Sequence, residues 1–359
     1  MTNIKLILSM MLTTFFYVKC WAAPFGIVRS NYTLDVYRSN QINAGTIDLK
    51  YGSELKQIAD AMLNPKTMSS NENSLAMIKK MEFVMDGLQK SGQFSYIRLS
   101  PIVYPNNTRI GFTVDVVDKG DERRMQGFLP KPTQNLPDPK HLVQSWKDYE
   151  KYGFKVFFST KRVMSSEHCP AFHCIFGFDD PAVKHYGVQF NRDVPIYKNE
   201  LITILRQDKD ESKRGAAAYL LAHLKNANEV ADALTPSMRD SSSLVRNNVM
   251  RVFAEMATKV KLNNFPVDDA IRALSYPSET DRNKALFMLD SITAIPKYAA
   301  YVKRKGCQGV LNQYRLIQPN LHDTAYKVLM NMSGEHYPID DYTAWEQWAS
   351  QHCQQQINA

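Results

Sequence analysis

The spacing of hydrophobic positions changes period more than once along the chain, and each period predicts different elements. Asn31-Tyr32-Thr33-Leu34-Asp35-Val36-Tyr37-Arg38 alternates and is rich in β-favouring side chains, so a strand is predicted there. A helical spacing follows through Ile47, Leu49, Leu55, Ile58 and Met62, until Asn64-Pro65 breaks it. Asn73 or Ser74 offers a cap for a second helix, with Leu75, Ile78, Phe83, Val84, Met85 and Leu88 expected roughly on one face. Ser91-Gly92 is a stop suited to the end of that helix. Two further alternating runs, Phe94–Tyr104 and Thr108–Asp118, flank the turn Pro105-Asn106-Asn107. The predicted order is β-α-α-β-β over residues 23–120.

A boundary follows at residues 121–140. Charged Lys119–Arg124 leads into Pro130, Pro132, Pro137 and Pro139, the composition of an extended, semi-rigid linker. Asp138-Pro139 suits a helix start, and residues 141–152 read as a short helix carrying Trp146, Tyr149 and Tyr152. Phe154–Phe158 fits a strand or a continuation of that helix. The stretch Glu167–Tyr197 has no sustained period but too many apolar side chains for a solvated loop. Residues 141–194 are therefore expected to form a folded cap pinned by cysteines.

Beyond Val194 the pattern becomes helical and repeats itself. Asp208-Lys209-Asp210-Glu211-Ser212-Lys213-Arg214 precedes an alanine-rich helix. Asp240–Val245 precedes Arg246 in the same way, and Ser278-Glu279-Thr280-Asp281 precedes Arg282. The three arginines are 32 and 36 residues apart, and a degenerate fourth copy starts at Asn320. A turn, an arginine and a helix at such a period predict an all-α helix-pair solenoid over residues 195–359. The pattern weakens after Pro296, where Gly306, Gly309 and Pro319 interrupt the helices. Trp345 and Trp348, three apart, suit a terminal cap.

Two family resemblances follow from these motifs. The repeats resemble HEAT repeats, whose units carry an Asp near the inter-helix turn and an Arg early in the second helix. Asp208, Arg214, Asp240 and Arg246 stand at those positions, and Arg282 continues the series. The resemblance implies an inter-repeat ladder in which each Arg donates to the preceding turn's Asp or carbonyls, a structural role. Leu88-Gln89-Lys90-Ser91-Gly92-Gln93-Phe94, with the strands after it, resembles the second half of a POTRA domain. That family implies a sheet edge that pairs with client peptides, although no barrel domain follows here.

The N-terminus alters how the rest is read. Lys5 precedes an apolar run from Leu6 to Val18, which Lys19 closes short of the roughly 20 residues a spanning helix needs. With Ala22 at a cleavage position and Cys20 two residues before it, residues 1–22 read as a signal peptide. No later stretch reaches membrane-spanning length. The chain is therefore expected to be exported, periplasmic or secreted. Its 44 Lys and Arg exceed its 36 Asp and Glu by 8, and removing residues 1–22 lowers the excess to 6. That surplus is spread over both halves, with no basic block for nucleic acid.

In an oxidising compartment the four remaining cysteines are expected to form two disulfides, although four allow three connectivities. Cys169–Cys174 and Cys307–Cys353 keep each bond within one region. The rival reading is a metal or thiol site in His168-Cys169-Pro170-Ala171-Phe172-His173-Cys174, with His185. Its cysteine and histidine types suit zinc, but its spacing does not match paired structural zinc sites. His223 among Leu220, Leu221 and Leu224 is expected to be a core residue. No G-x-S-x-G, H-E-x-x-H or P-loop pattern is present. No cofactor is expected. The resulting expectation is a non-catalytic protein that binds protein or peptide partners through its solenoid surface and a strand edge. The alternative is an exported thiol or metal-dependent hydrolase around His168, His173, Cys174 and His185.

Overall fold

The alternating runs of the N-terminal stretch pair into one mixed sheet of four strands. A computed structural model describes residues 26–64, 71–103, 108–160, 164, 168–262 and 264–353. The expected signal peptide, Pro65 and the Pro105-Asn106-Asn107 turn lie outside them. β1 (Ile27–Val28), β2 (Tyr32–Tyr37), β3 (Phe94–Val103) and β4 (Ile110–Asp118) are ordered β1-β2-β4-β3. β2 runs parallel to β4, with Tyr32 opposite Ile110 and Tyr37 opposite Asp115. β1 and β3 run antiparallel to their neighbours. β1 was not expected, because two residues are too few to display alternation.

Helices α1 (Ala44–Leu63) and α2 (Asn71–Gln89) connect β2 to β3. α1 starts where Asn43 and Thr46 exchange side-chain and backbone hydrogen bonds, a capping box. Its buried stripe is Ile47, Tyr51, Leu55 and Ile58. Leu49, expected on that stripe, is 90% exposed, because two residues carry a helix more than half a turn round. In α2, Val84 and Leu88 are buried while Leu75, Ile78 and Phe83 are exposed, so the expected single face divides. α2 begins before Asn73, earlier than the expected cap.

Both faces of the sheet are covered. Leu34, Phe112, Val114 and Val116 pack with α1 and α2. The alternate positions, Asp35, Tyr37, Thr113 and Asp115, are also buried, and Asp35, Tyr37 and Asp115 bond residues beyond 270. All nine residues of β4 are buried as a result.

From Leu142 on, the regular elements among the described residues are helices. α3 (Leu142–Thr160), α4 (Lys184–Asp193), α5 (Lys198–Gln207) and α6 (Glu211–Leu221) come first. α7 (Ala227–Leu234), α8 (Ser243–Lys259), α9 (Val267–Ala273) and α10 (Glu279–Thr293) follow. The chain closes with α11 (Pro296–Lys305), α12 (Cys307–Tyr314), α13 (Pro319–Ser333) and α14 (Tyr342–His352). α6, α8, α10 and α13 pack each against the next, with α5, α9 and α12 laid against α6, α10 and α13. No helix among the described residues is long and apolar enough to cross a membrane.

Three local readings change. Of the two readings for Phe154–Phe158 the strand is excluded and the helix continuation holds, so α3 runs on past residue 152. Gly153 does not break that helix; it is buried against the Phe176 ring, into which a Cβ would run. The stretch without period contains α4, whose short buried face is only Gly187, Phe190 and Asp193. Pro296 and Pro319 begin helices rather than ending the pattern, since the first helical turn needs no N–H from them.

Candidate binding surfaces

The cysteine segment is built on disulfide chemistry. Cys169 bonds Cys174, with Cα atoms 5.7 Å apart, and Cys307 bonds Cys353, with Cα atoms 5.5 Å apart. Cys174 therefore offers no thiolate, and the thiol-enzyme alternative has no nucleophile there. Its three histidines also diverge. His168 Nδ1 lies 3.2 Å from Asp179 at the surface. His173 is buried, its ring stacked on Tyr219 and its Nδ1 2.6 Å from Glu255 Oε1, though not aligned for a hydrogen bond. His185 is exposed, with its ring against Tyr186. Among the described residues no three His, Cys, Asp or Glu side chains converge as metal ligands would.

His223 is a core residue, as its apolar neighbours imply. Its Nδ1–H donates to Asn191 Oδ1 at 3.0 Å, and burial pushes the imidazole down to about 3. It stays neutral at physiological pH.

The three repeat arginines share one geometry. Each is buried, and each points Nη1 at the carbonyl six residues before it: Arg214 at Asp208, Arg246 at Asp240, Arg282 at Tyr276. Arg214 then grips the Asp240 carboxylate with two bonds of 2.9 and 2.7 Å, and Arg246 grips Asp281 at 3.0 and 2.5 Å. These bidentate pairs satisfy the planar guanidinium fork. The side-chain partner lies in the following turn, while the preceding turn supplies only its carbonyl. Asp208 instead accepts the Leu136 and Asp210 N–H groups and pairs with Lys213.

Arg282 has no carboxylate in the next turn. Gln313 takes its Nε at 3.1 Å, and the charge comes from Asp115 of β4, 2.7 Å from Nη2. Asp115 also accepts the Glu279 N–H, and burial pushes its carboxyl up against the pull of Arg282. The Tyr37 ring lies under the same guanidinium at 3.7 Å, and its hydroxyl donates to Leu274 O. Asp35 accepts the N–H groups of Ile317 and Gln318. The sequence reading missed Asp35, Tyr37 and Asp115. Their signal was an ionisable residue in the middle of each of two apolar strands.

The proline-rich stretch 128–138 lies along the repeat turns. Leu129 N–H donates to Arg239 O, Gln134 N–H to Gln207 O, and Lys209 N–H to Gln134 O. Lys213 Nζ reaches Leu136 O at 2.8 Å. Phe128 packs edge-on to Tyr276 and lies 4.2 Å under the Arg246 guanidinium. The stretch is extended, as its prolines require, but it is bonded to the helices rather than free in solvent. An open cleft of about 390 Å³ lies beside it, lined by Lys131, Lys209, Asp210, Glu211, Arg214 and Ser242. A second, of about 350 Å³, lies between the β1–β2 turn and α1, lined by Arg29, Asp48 and Lys56 among others.

β3 is one of the sheet's two edge strands, the other being the two-residue β1, and is ten residues long and paired on one side only. Its outer edge is partly blunted. Leu99 N–H donates to Met85 Sδ of α2 at 3.1 Å, so that amide does not bond β4. Pro101, two residues on and in the same orientation, has no N–H. Both devices limit indiscriminate strand pairing while leaving the positions around them open. No protein-family model, no curated protein and no solved structure matches this chain.

Proposed function

We infer that this chain is an exported, non-catalytic binding protein that takes an extended segment of a partner protein along the outer edge of β3. The observation that carries the reading is a ten-residue strand, Phe94–Val103, paired on one side only at the edge of the sheet. Strand addition supplies main-chain hydrogen bonds, and side-chain alternation supplies selectivity. The POTRA resemblance supports this use of the edge. The HEAT resemblance and the stacking of α6, α8, α10 and α13 support a solenoid that adds a second, longer binding surface. Two disulfides and the N-terminal apolar run support export to an oxidising compartment, the periplasm or beyond.

A photo-reactive residue placed at Arg98, compared with one at Leu244 on the helical repeats, tests the reading in the native envelope. The expected result is an adduct at β3 whose partner peptide, once synthesised, slows amide exchange from Ile97 to Val103. Met85→Ala, which uncovers the Leu99 amide, is expected to tighten that peptide. Partner peptides that protect only the helical repeats, or no part of β3, would remove the strand edge from the proposal.

A further inference from the structure

The last turns of α3 carry a surface that neither the repeat ladder nor the sheet edge uses. Phe158 is 65% exposed and Phe154 41%, and their rings stack with centroids 6.2 Å apart. Phe157 adds a third ring, 5.4 Å from Phe158. Phe154 is anchored below by Phe176 at 5.2 Å, which holds the cluster in place. At 100° per residue, Lys151, Phe154, Lys155 and Phe158 share one stripe of about a quarter-turn. Both lysines are exposed.

The charges around the stripe favour an anionic partner. Lys147, one turn back, is paired with Asp210. Of the nearby acids, Asp148 accepts from Gln144 a turn back, Glu150, one turn before Phe154, is half-buried with the charges of Arg251 and Lys147 acting on it, and Asp180 is held by Tyr152. None of them lies between the two lysines and the rings. The two clefts described above lie elsewhere, at the repeat turns and beside α1. The exposed rings flanked by lysines form an amphipathic patch. It matches a bilayer interface, where phenyl rings enter the acyl boundary and lysine stems extend their ammonium groups to phosphates.

We propose that the C-terminal end of α3 docks the protein on an anionic phospholipid surface, with Phe154 and Phe158 inserted and Lys151 and Lys155 at the phosphates. This surface is independent of the β3 edge and would hold the binding protein beside a membrane without spanning it. The probe is flotation of the full oxidised chain with phosphatidylcholine vesicles, with and without phosphatidylglycerol. Binding is expected only to the anionic vesicles, and it should weaken as salt is raised. Phe158→Ser, at a side chain already mostly in solvent, is expected to lower partitioning about tenfold with an unchanged circular dichroism spectrum. Lys151→Glu with Lys155→Glu should abolish binding at low salt. Equal flotation with neutral vesicles, or unchanged binding in either variant, would overturn the proposal. So would Phe158-dependent self-association in sedimentation without vesicle binding, which would assign the rings to a second copy of the chain.

Discussion

The first two arginine rungs and the third place the same side chain in the same local geometry, yet they draw their negative charge from different parts of the molecule. Arg214 and Arg246 are neutralised by Asp240 and Asp281, carboxylates of the helical repeats themselves. Arg282 is neutralised by Asp115, which arrives from a strand more than 160 residues earlier. The repeats can assemble the first two rungs without outside help, whereas the third is complete only when the sheet is seated. A buried ion pair of this kind adds little net stability, because desolvating both charges offsets most of their attraction. Its effect is on specificity: a sheet docked elsewhere would leave Arg282 buried and uncompensated.

The largest expected effect comes from breaking that difference directly. Arg282→Met and Arg214→Met should each cost about 3–5 kcal/mol, since each strands a buried carboxylate. Only Arg282→Met should also release the N-terminal sheet, seen as an expanded envelope in small-angle scattering while the helices keep their circular dichroism signal. Adding Asp115→Leu to Arg282→Met should restore compactness, because the buried carboxylate that Arg282 neutralised is then removed with it. If the two single variants scatter alike, Asp115 does not lock the domains together.

A smaller effect should separate the two regions by pH. Asp35 joins β2 to the turn before α13, and burial pushes its carboxyl up to about 6, against the N–H donors of Ile317 and Gln318 and the charge of Arg282. With the folded value above the unfolded one, Asp35 contributes stability that is present below about pH 4 and lost as pH rises through 6. The raised value amounts to about 3 kcal/mol. His223, inside the helical region, acts in the opposite sense. Its depressed value contributes stability above about pH 6.5 that is lost as pH falls. Asp35→Asn keeps one oxygen for both backbone donors and removes the titration. It should therefore exceed the parent chain in stability at pH 7 and converge with it near pH 4 in urea unfolding. Convergence at neutral pH, with divergence in acid, would reverse the sign and defeat the prediction.

These residues also mark how far the sequence could be read. The repeat arginines were legible because a motif recurring at 32 and 36 residues needs no knowledge of the fold. Strand and helix order around the sheet was legible from period alone, and so was the disulfide pairing that keeps each bond local. Leu49 was misplaced, and Phe154–Phe158 was left between a strand and a continued helix, because short apolar runs satisfy more than one period. The docking of the sheet was not legible at all. Alternation places Asp35 and Asp115 opposite the apolar face, but it cannot say whether that second face meets water or another part of the chain. The proline-rich stretch posed the same difficulty. Its composition predicts an extended backbone, and nothing in it announces that Gln134 and Leu136 will bond the repeat turns.

Phe128 tests whether that extended stretch belongs to the self-sufficient rungs or to the borrowed one, and here the expected effect is smallest. Its ring lies under Arg246 of the second rung and against Tyr276, whose carbonyl receives Arg282 of the third. Phe128→Leu preserves an apolar side chain but removes the ring's attraction for the guanidinium and its edge-on contact, for a loss of about 1 kcal/mol. If the ring serves mainly the second rung, the loss should disappear in an Arg246→Met background and persist beside Arg282→Met, as a double-mutant cycle would read it. The opposite dependence would mean that the stretch braces the sheet-bearing rung, so that residues 121–140 transmit docking rather than merely connect the two regions.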